Sequence, residues 1–148
     1  MSRWEKLTLL IQCFLITLMK LNKKLKAISK LLDVMDTLRS DCPWDKKQTF
    51  KSLRPLTIEE TYELAEAILN KNNDEIKKEL GDLLLHIIFY SKIASESNYF
   101  DIGDVANSIV EKLIYRHPHI FNKRIEIGEN EVKKNWEKLK LSEGNKGV

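Results

Sequence analysis

At 148 residues the chain fits one domain by the usual range of about 100 to 200 residues, which leaves room for a real core and excludes two full domains. Its 43% hydrophobic and 32% charged residues are those of a globular chain in water, and five glycines with three prolines make hairpin turns scarce. Two cysteines, Cys13 and Cys42, fit neither a disulfide framework nor a metal-binding spacing, so a cytoplasmic location is expected. The net charge of +3 is uneven: residues 1–30 carry seven basic residues against Glu5, net +6, and the remainder carries 18 basic and 21 acidic residues, net −3. The basic character belongs to the leader, and nucleic acid is not expected as a partner.

The leader, residues 1–20, holds an uncharged run from Leu7 to Met19 between Lys6 and Lys20. Thirteen residues interrupted by Gln12 fall short of the about 20 that a membrane span needs, and no small-residue cleavage site precedes the lysine cluster. An interfacial helix with its lysines toward anionic lipid is one reading. A helix packed on the domain or on a partner chain is the ordinary one, and membrane association is not expected.

Residues 21–38 place Leu21, Leu25, Ile28, Leu31, Leu32, Met35 and Leu38 at helical spacing, the first helix of a domain that spans residues 21–141. Residues 39–53, with Cys42-Pro43-Trp44-Asp45 and Gln48-Thr49, lack periodicity and predict an ordered loop. A second helix is expected from Pro55 to about Asn70, with Thr57 and Glu60 as its capping box. After a polar connector, in which Asn73 or Asp74 can cap, a third helix runs over about residues 74–97. It is apolar around most of its circumference and is therefore expected at the centre. A fourth, from Asp101 or Gly103-Asp104 to Arg116, is ended by His117-Pro118-His119. A last amphipathic helix over about residues 130–141 contains Trp136, and a solvated tail of residues 142–148 closes the chain. No repeat or β alternation occurs, so the class is all-α, a four-helix bundle with an additional N-terminal and a C-terminal helix.

Glu59, Glu60 and Glu63 lie in the second helix, Glu79 and Asp82 in the third, both with the apolar pattern of buried helices. Ionised carboxylates are almost never fully buried unless paired or bound to metal. Residues three apart on a helix are neighbours, so Glu60 with Glu63 and Glu79 with Asp82 form two pairs that can face one another. Four oxygen-ligand side chains call for a hard divalent cation, Mg²⁺ or Mn²⁺. A solvated face is the ordinary fate of such charges. That reading is weakest for Glu79 and Asp82, flanked by Leu80 and Leu83 to Leu85, and strongest for Glu59. Gly81, unfavourable by about 1 kcal/mol inside a helix, suggests a close helix approach. His86 shares the face of Glu79 and is either a hydrogen-bonding group behind the ligands or, more ordinarily, a satisfied core histidine. His117 and His119 are taken as structural. Lys112 and Arg116 share one face of the fourth helix, and Trp136 and Lys140 one face of the last. An aromatic ring beside a base suits a nucleobase with adjoining phosphates, although spacing alone favours a core Trp136 and surface cations.

Together these residues resemble the MazG family of all-α nucleoside triphosphate pyrophosphohydrolases. The resemblance rests on Cys42-Pro43-Trp44-Asp45, Gln48-Thr49, Glu59-Glu60-Thr61-Tyr62-Glu63, Glu79-Leu80-Gly81-Asp82-Leu83-Leu84, Phe100-Asp101, Arg116-His117-Pro118-His119-Ile120-Phe121 and the Trp136 to Lys140 stretch, in the family's order. It covers roughly residues 31–140. It implies Mg²⁺-dependent hydrolysis of nucleoside triphosphates to the monophosphate and pyrophosphate. The metal ligands would be Glu60, Glu63, Glu79 and Asp82, which also serve catalysis, with Glu59 accessory. Lys112 and Arg116 would bind phosphate, and Trp136 and Lys140 the base. It also implies self-assembly into a dimer or higher homo-oligomer. The chain departs from the family in the short link, Ser40-Asp41, before its C-P-W-D motif, where a longer loop serves substrate closure, and in holding one such domain rather than a tandem pair.

Two other readings compete. A non-catalytic nucleotide-binding or dimerisation module of the same fold would be stabilised by nucleotide without turnover. A di-iron carboxylate bundle would need E-x-x-H on two helices, whereas Glu63 and Asp82 stand where those histidines belong.

Overall fold

The computed structural model describes residues 3–143. Among them are α1 (Arg3–Asp41), a 3-10 turn (Asp45–Lys47), α2 (Phe50–Leu69), α3 (Asn73–Glu96), α4 (Ile102–Arg116), the single-turn α5 (Pro118–Phe121) and α6 (Glu129–Glu143), with no strand. The all-α class expected from the sequence is borne out. The chain falls into two compact units, Met1–Glu96 and Ser97–Val148.

In the first unit α1 runs unbroken through the leader and the predicted first helix. Of the apolar positions expected to face the core, Met35 is buried and Leu31 and Leu32 are half-buried. Leu21, Leu25 and Ile28 stay 51%, 57% and 43% exposed. The core consists of Met35, Leu53, Ala67, Ile88, Phe89 and Ala94, three of them from α3, in keeping with its expected central place.

α2 begins five residues earlier than expected. Thr49 is its cap, accepting from the Ser52 amide while the Ser52 hydroxyl accepts from the Thr49 amide, so Pro55 lies inside the helix. Thr57, read as a cap, instead donates back to the Leu53 carbonyl at 3.1 Å and shares a 2.7 Å hydrogen bond with the Tyr90 hydroxyl of α3. Lys71 follows α2 in the left-handed region at φ 54°, with its amide on the Ile68 carbonyl and the Asn72 amide on that of Ala67, a Schellman end. Asn72, rather than Asn73 or Asp74, then caps α3, accepting from the amides of Asp74 and Glu75. The tight reversal lays α2 and α3 side by side in opposite directions.

Arg39 staples the loop between α1 and α2. Its guanidinium makes paired bonds of 2.7 and 2.9 Å to Glu96, donates to the carbonyls of Asp45 and Gln48, and lies over the Phe89 ring. The bond to Glu96 raises the Arg39 pKa and holds the Glu96 carboxyl below its usual range. The C-P-W-D loop is therefore ordered, as expected. It is anchored at Glu96, about 21 Å along α3 from Asp82 at 1.5 Å per residue.

In the second unit Asp101 and Asp104 form a reciprocal capping box for α4. His117 ends that helix, its Nδ1 2.7 Å from the Leu113 carbonyl, and Pro118 starts α5. α6 packs on α4. No residue of α4 is buried, and Ile109, Val110, Leu113 and Ile114 remain 45 to 50% exposed.

Candidate metal centre

Of the five carboxylates singled out in the sequence, three converge. One oxygen each from Glu60, Glu79 and Asp82 lies within 4.8 Å of the others. α2 supplies the first and α3 the other two, because three residues along a helix return the chain to nearly the same face. Ligands at about 2.1 Å from a six-coordinate Mg²⁺ are about 3.0 to 4.2 Å from one another. A small contraction of side chains therefore suffices to close the three oxygens around such an ion.

Glu79 is the buried member, only 2% exposed. Its one oxygen accepts from the Lys78 ammonium at 2.9 Å, and the other, Oε2, has no partner. A buried charged acceptor left unpaired costs more than the 1 to 3 kcal/mol or so of a neutral group. The orphan oxygen, the convergence of two further carboxylates on it, and the all-oxygen donor set together fit a hard divalent cation. The electrostatics agree. The Glu60 carboxyl is pushed above its usual range, first by loss of solvent and then by Asp82, Glu63 and Glu79. Lys78, whose pKa Glu79 raises, offsets part of that charge. Sequence reasoning missed Lys78, since adjacent residues on a helix do not normally face each other.

Glu63 is exposed and stands beside the cluster rather than in it. It adds to the field on Glu60 and lines a groove with Tyr62, Glu66, Lys78 and Glu79. Glu59 is exposed and outside the cluster. Gly81 does not mark a close approach: a Cβ built on it meets nothing within 4 Å. His86 is 8% exposed, yet its Nδ1 has no hydrogen-bond partner, so it is not the satisfied core histidine that is the ordinary case.

In the second unit Trp136 is half-buried, and the cations of Arg116 and Lys140 each lie 5.1 Å from its ring centre. This is cation–π distance and joins three of the residues read from the sequence. Lys112, one turn before Arg116, lines a shallow groove with Phe100, Asp104 and Ile109. His117 and His119 lie with ring centres 5.8 Å apart. No helix among the described residues is long and apolar enough to cross a membrane.

Residues 48–121 match the family described as the MazG nucleotide pyrophosphohydrolase domain. The chain is 43% identical over 119 residues to a nucleoside triphosphate pyrophosphohydrolase of Escherichia coli, covering 78% of this chain and 45% of that protein. It is 47% identical over 119 residues to the nucleoside triphosphate pyrophosphohydrolase/pyrophosphatase MazG of Thermotoga maritima, covering 79% and 45%. It thus spans about half the length of these relatives. A crystal structure of a mazG-related protein from Thermotoga maritima superposes with a TM-score of 0.66 at 26% identity, covering 76% of this chain and 98% of that one. With a family match over half its length, an all-α fold shared with a solved relative and the acidic cluster where the motif falls, the chain belongs to the MazG nucleotide pyrophosphohydrolase domain family.

Proposed function

We propose that the protein hydrolyses nucleoside triphosphates to the monophosphate and pyrophosphate, with Mg²⁺, or Mn²⁺ in its place, held by Glu60, Glu79 and Asp82. The observation that carries this reading is the buried, unpartnered Oε2 of Glu79 beside two converging carboxylates. When bound, the cation offsets phosphate charge and lowers the pKa of water.

Glu63, exposed at the rim of the groove, would accept a proton from the attacking water. The water oxygen bonds to the α-phosphorus, the bond from that phosphorus to the bridging oxygen breaks, and pyrophosphate leaves. Lys112 and Arg116 offset charge on the leaving group. Trp136 and Lys140 take the base, which competes with the Arg116 guanidinium for the ring. A homo-oligomer is part of the reading, supported by the uncovered apolar residues of α1 and α4, and the free Cys42 fits a cytoplasmic setting.

The test is a panel of normal and damaged nucleoside triphosphates with Mg²⁺, read as pyrophosphate release. At least one is expected to turn over, and Glu79→Gln or Asp82→Asn to abolish turnover without unfolding the chain. Nucleotide-induced heat stabilisation with no turnover of any triphosphate would instead identify a non-catalytic binding module.

A further inference from the structure

His86 raises a question that packing does not answer. It is 8% exposed on α3, and its Nδ1 is buried with no partner. An orphaned buried polar atom costs about 1 to 3 kcal/mol, so for packing alone an apolar side chain serves better. The residue four before it is Asp82. Residues four apart share a helix face, and helical side chains lean toward the N-terminal turn, so the imidazole lies over the turn that carries Asp82. Burial lowers the pKa of the ring against the opposing pull of Asp82. A neutral imidazole has one N–H to give and one nitrogen that accepts. The Asp82 carboxylate, one turn back on the same face, has two oxygens, of which a single cation takes one, and the other is left to accept that N–H.

We propose that His86 is a positioning residue for the cation site: from one turn along α3 it donates to the Asp82 carboxylate and fixes which oxygen Asp82 turns toward the cation. The inference rests on the reading of Glu60, Glu79 and Asp82 as the metal centre. Groups behind the ligands of a metal typically change its affinity 10- to 100-fold or so when removed.

The experiment is calorimetric titration of the full chain with Mn²⁺ alone, together with urea unfolding in the absence of metal. His86→Leu is expected to weaken Mn²⁺ binding about 10- to 100-fold, while the metal-free variant still unfolds in one cooperative urea transition, so that the lost affinity is not a lost fold. His86→Asn and His86→Gln return an N–H near the Nδ1 and Nε2 positions respectively. One of them is expected to restore affinity to within about threefold of the wild type, and which one does so identifies the donating nitrogen. If His86→Leu does not fold, His86→Phe supplies an apolar ring and is read in the same way. Unchanged affinity in the apolar variant, failure of both amides to restore it, or a wild type that takes up no Mn²⁺ each overturns the proposal. A wild type that binds Mn²⁺ but releases no pyrophosphate overturns the proposed reaction and leaves the role of His86 standing.

Discussion

Glu60 bears the crowding of the carboxylates most visibly, since its carboxyl is held above the ordinary range by lost solvent and by Asp82, Glu63 and Glu79. Between the ordinary carboxylate value and the raised one, the folded, metal-free chain therefore binds more proton there than the unfolded chain does. Where the folded state binds more protons, stability falls as pH rises. The loss begins at the ordinary carboxylate range and is complete above the raised value. Glu96 works the other way, since its carboxyl is held down by Arg39 and its contribution disappears as pH falls through the lowered value. Glu60→Gln should thus be more stable than the wild type at pH 7 without metal, with the difference vanishing near pH 4 or so, where an ordinary carboxyl protonates. Saturating Mg²⁺ should reverse the order, because a cation that binds only the folded chain stabilises it and the variant has lost a ligand. Urea midpoints with and without Mg²⁺ check both signs, and a variant that gains as much from Mg²⁺ as the wild type would remove Glu60 from the ligand set. The spacing of these carboxylates was legible in the sequence because helical period alone puts Glu79 and Asp82 on one face. The partial neutralisation by Lys78 was not, because it depends on a long side chain reaching around the helix to its own neighbour.

α3 carries two of the three converging oxygens, and Gly81 between them is out of place in a long helix. Its site is open, with no atom within 4 Å of an added Cβ. Gly81→Ala should stabilise the isolated chain by about 1 kcal/mol, the ordinary helix-propensity difference, as read from urea unfolding. A loss of stability would mean that a second copy packs against this stretch of backbone. The helices themselves were legible from their apolar period, and the ends of α4 from Asp101 and His117. The start of α2 was misplaced because the capping box uses Ser52 where Glu or Gln is the usual partner of Thr49, and Pro55 drew attention to the wrong turn. The Arg39 staple was invisible in the sequence, since Glu96 is 57 residues away. That staple ties the C-P-W-D loop to the end of α3 remote from the carboxylates, so the loop does not cover its own chain's cluster.

Each unit, taken by itself, leaves many apolar side chains uncovered for a chain expected to work in water. Leu21, Leu25 and Ile28 repeat along one side of α1 at spacings of four and three, and Ile109, Val110, Leu113 and Ile114 recur on α4, all between 43% and 57% exposed. Single exposed apolar residues need no explanation, but repeated ones on one helix face mark an association surface. The polar neighbours Lys20, Lys23, Lys24, Lys26 and Lys30 share α1 with the first set, so an anionic surface is a competing occupant there. α4 has no such basic row, and a second copy of the chain is the simpler cover for it. Burying a leucine contributes about 1.5 to 3 kcal/mol, and each 1.4 kcal/mol or so is tenfold in an equilibrium constant. Placing a charge at such a site removes that gain and adds the cost of desolvating the charge. Leu113→Glu is therefore expected to weaken self-association by about tenfold or more, seen in sedimentation velocity as a shift toward the single chain at micromolar loading. The wild type should sediment as a dimer or larger species over the same range. A wild type that sediments as one chain, or a Leu113→Glu variant with unaltered association, would mean that α4 is covered by something other than a copy of itself. Turnover measured on the same samples then tells whether the carboxylate cluster works in a single chain or needs its partner.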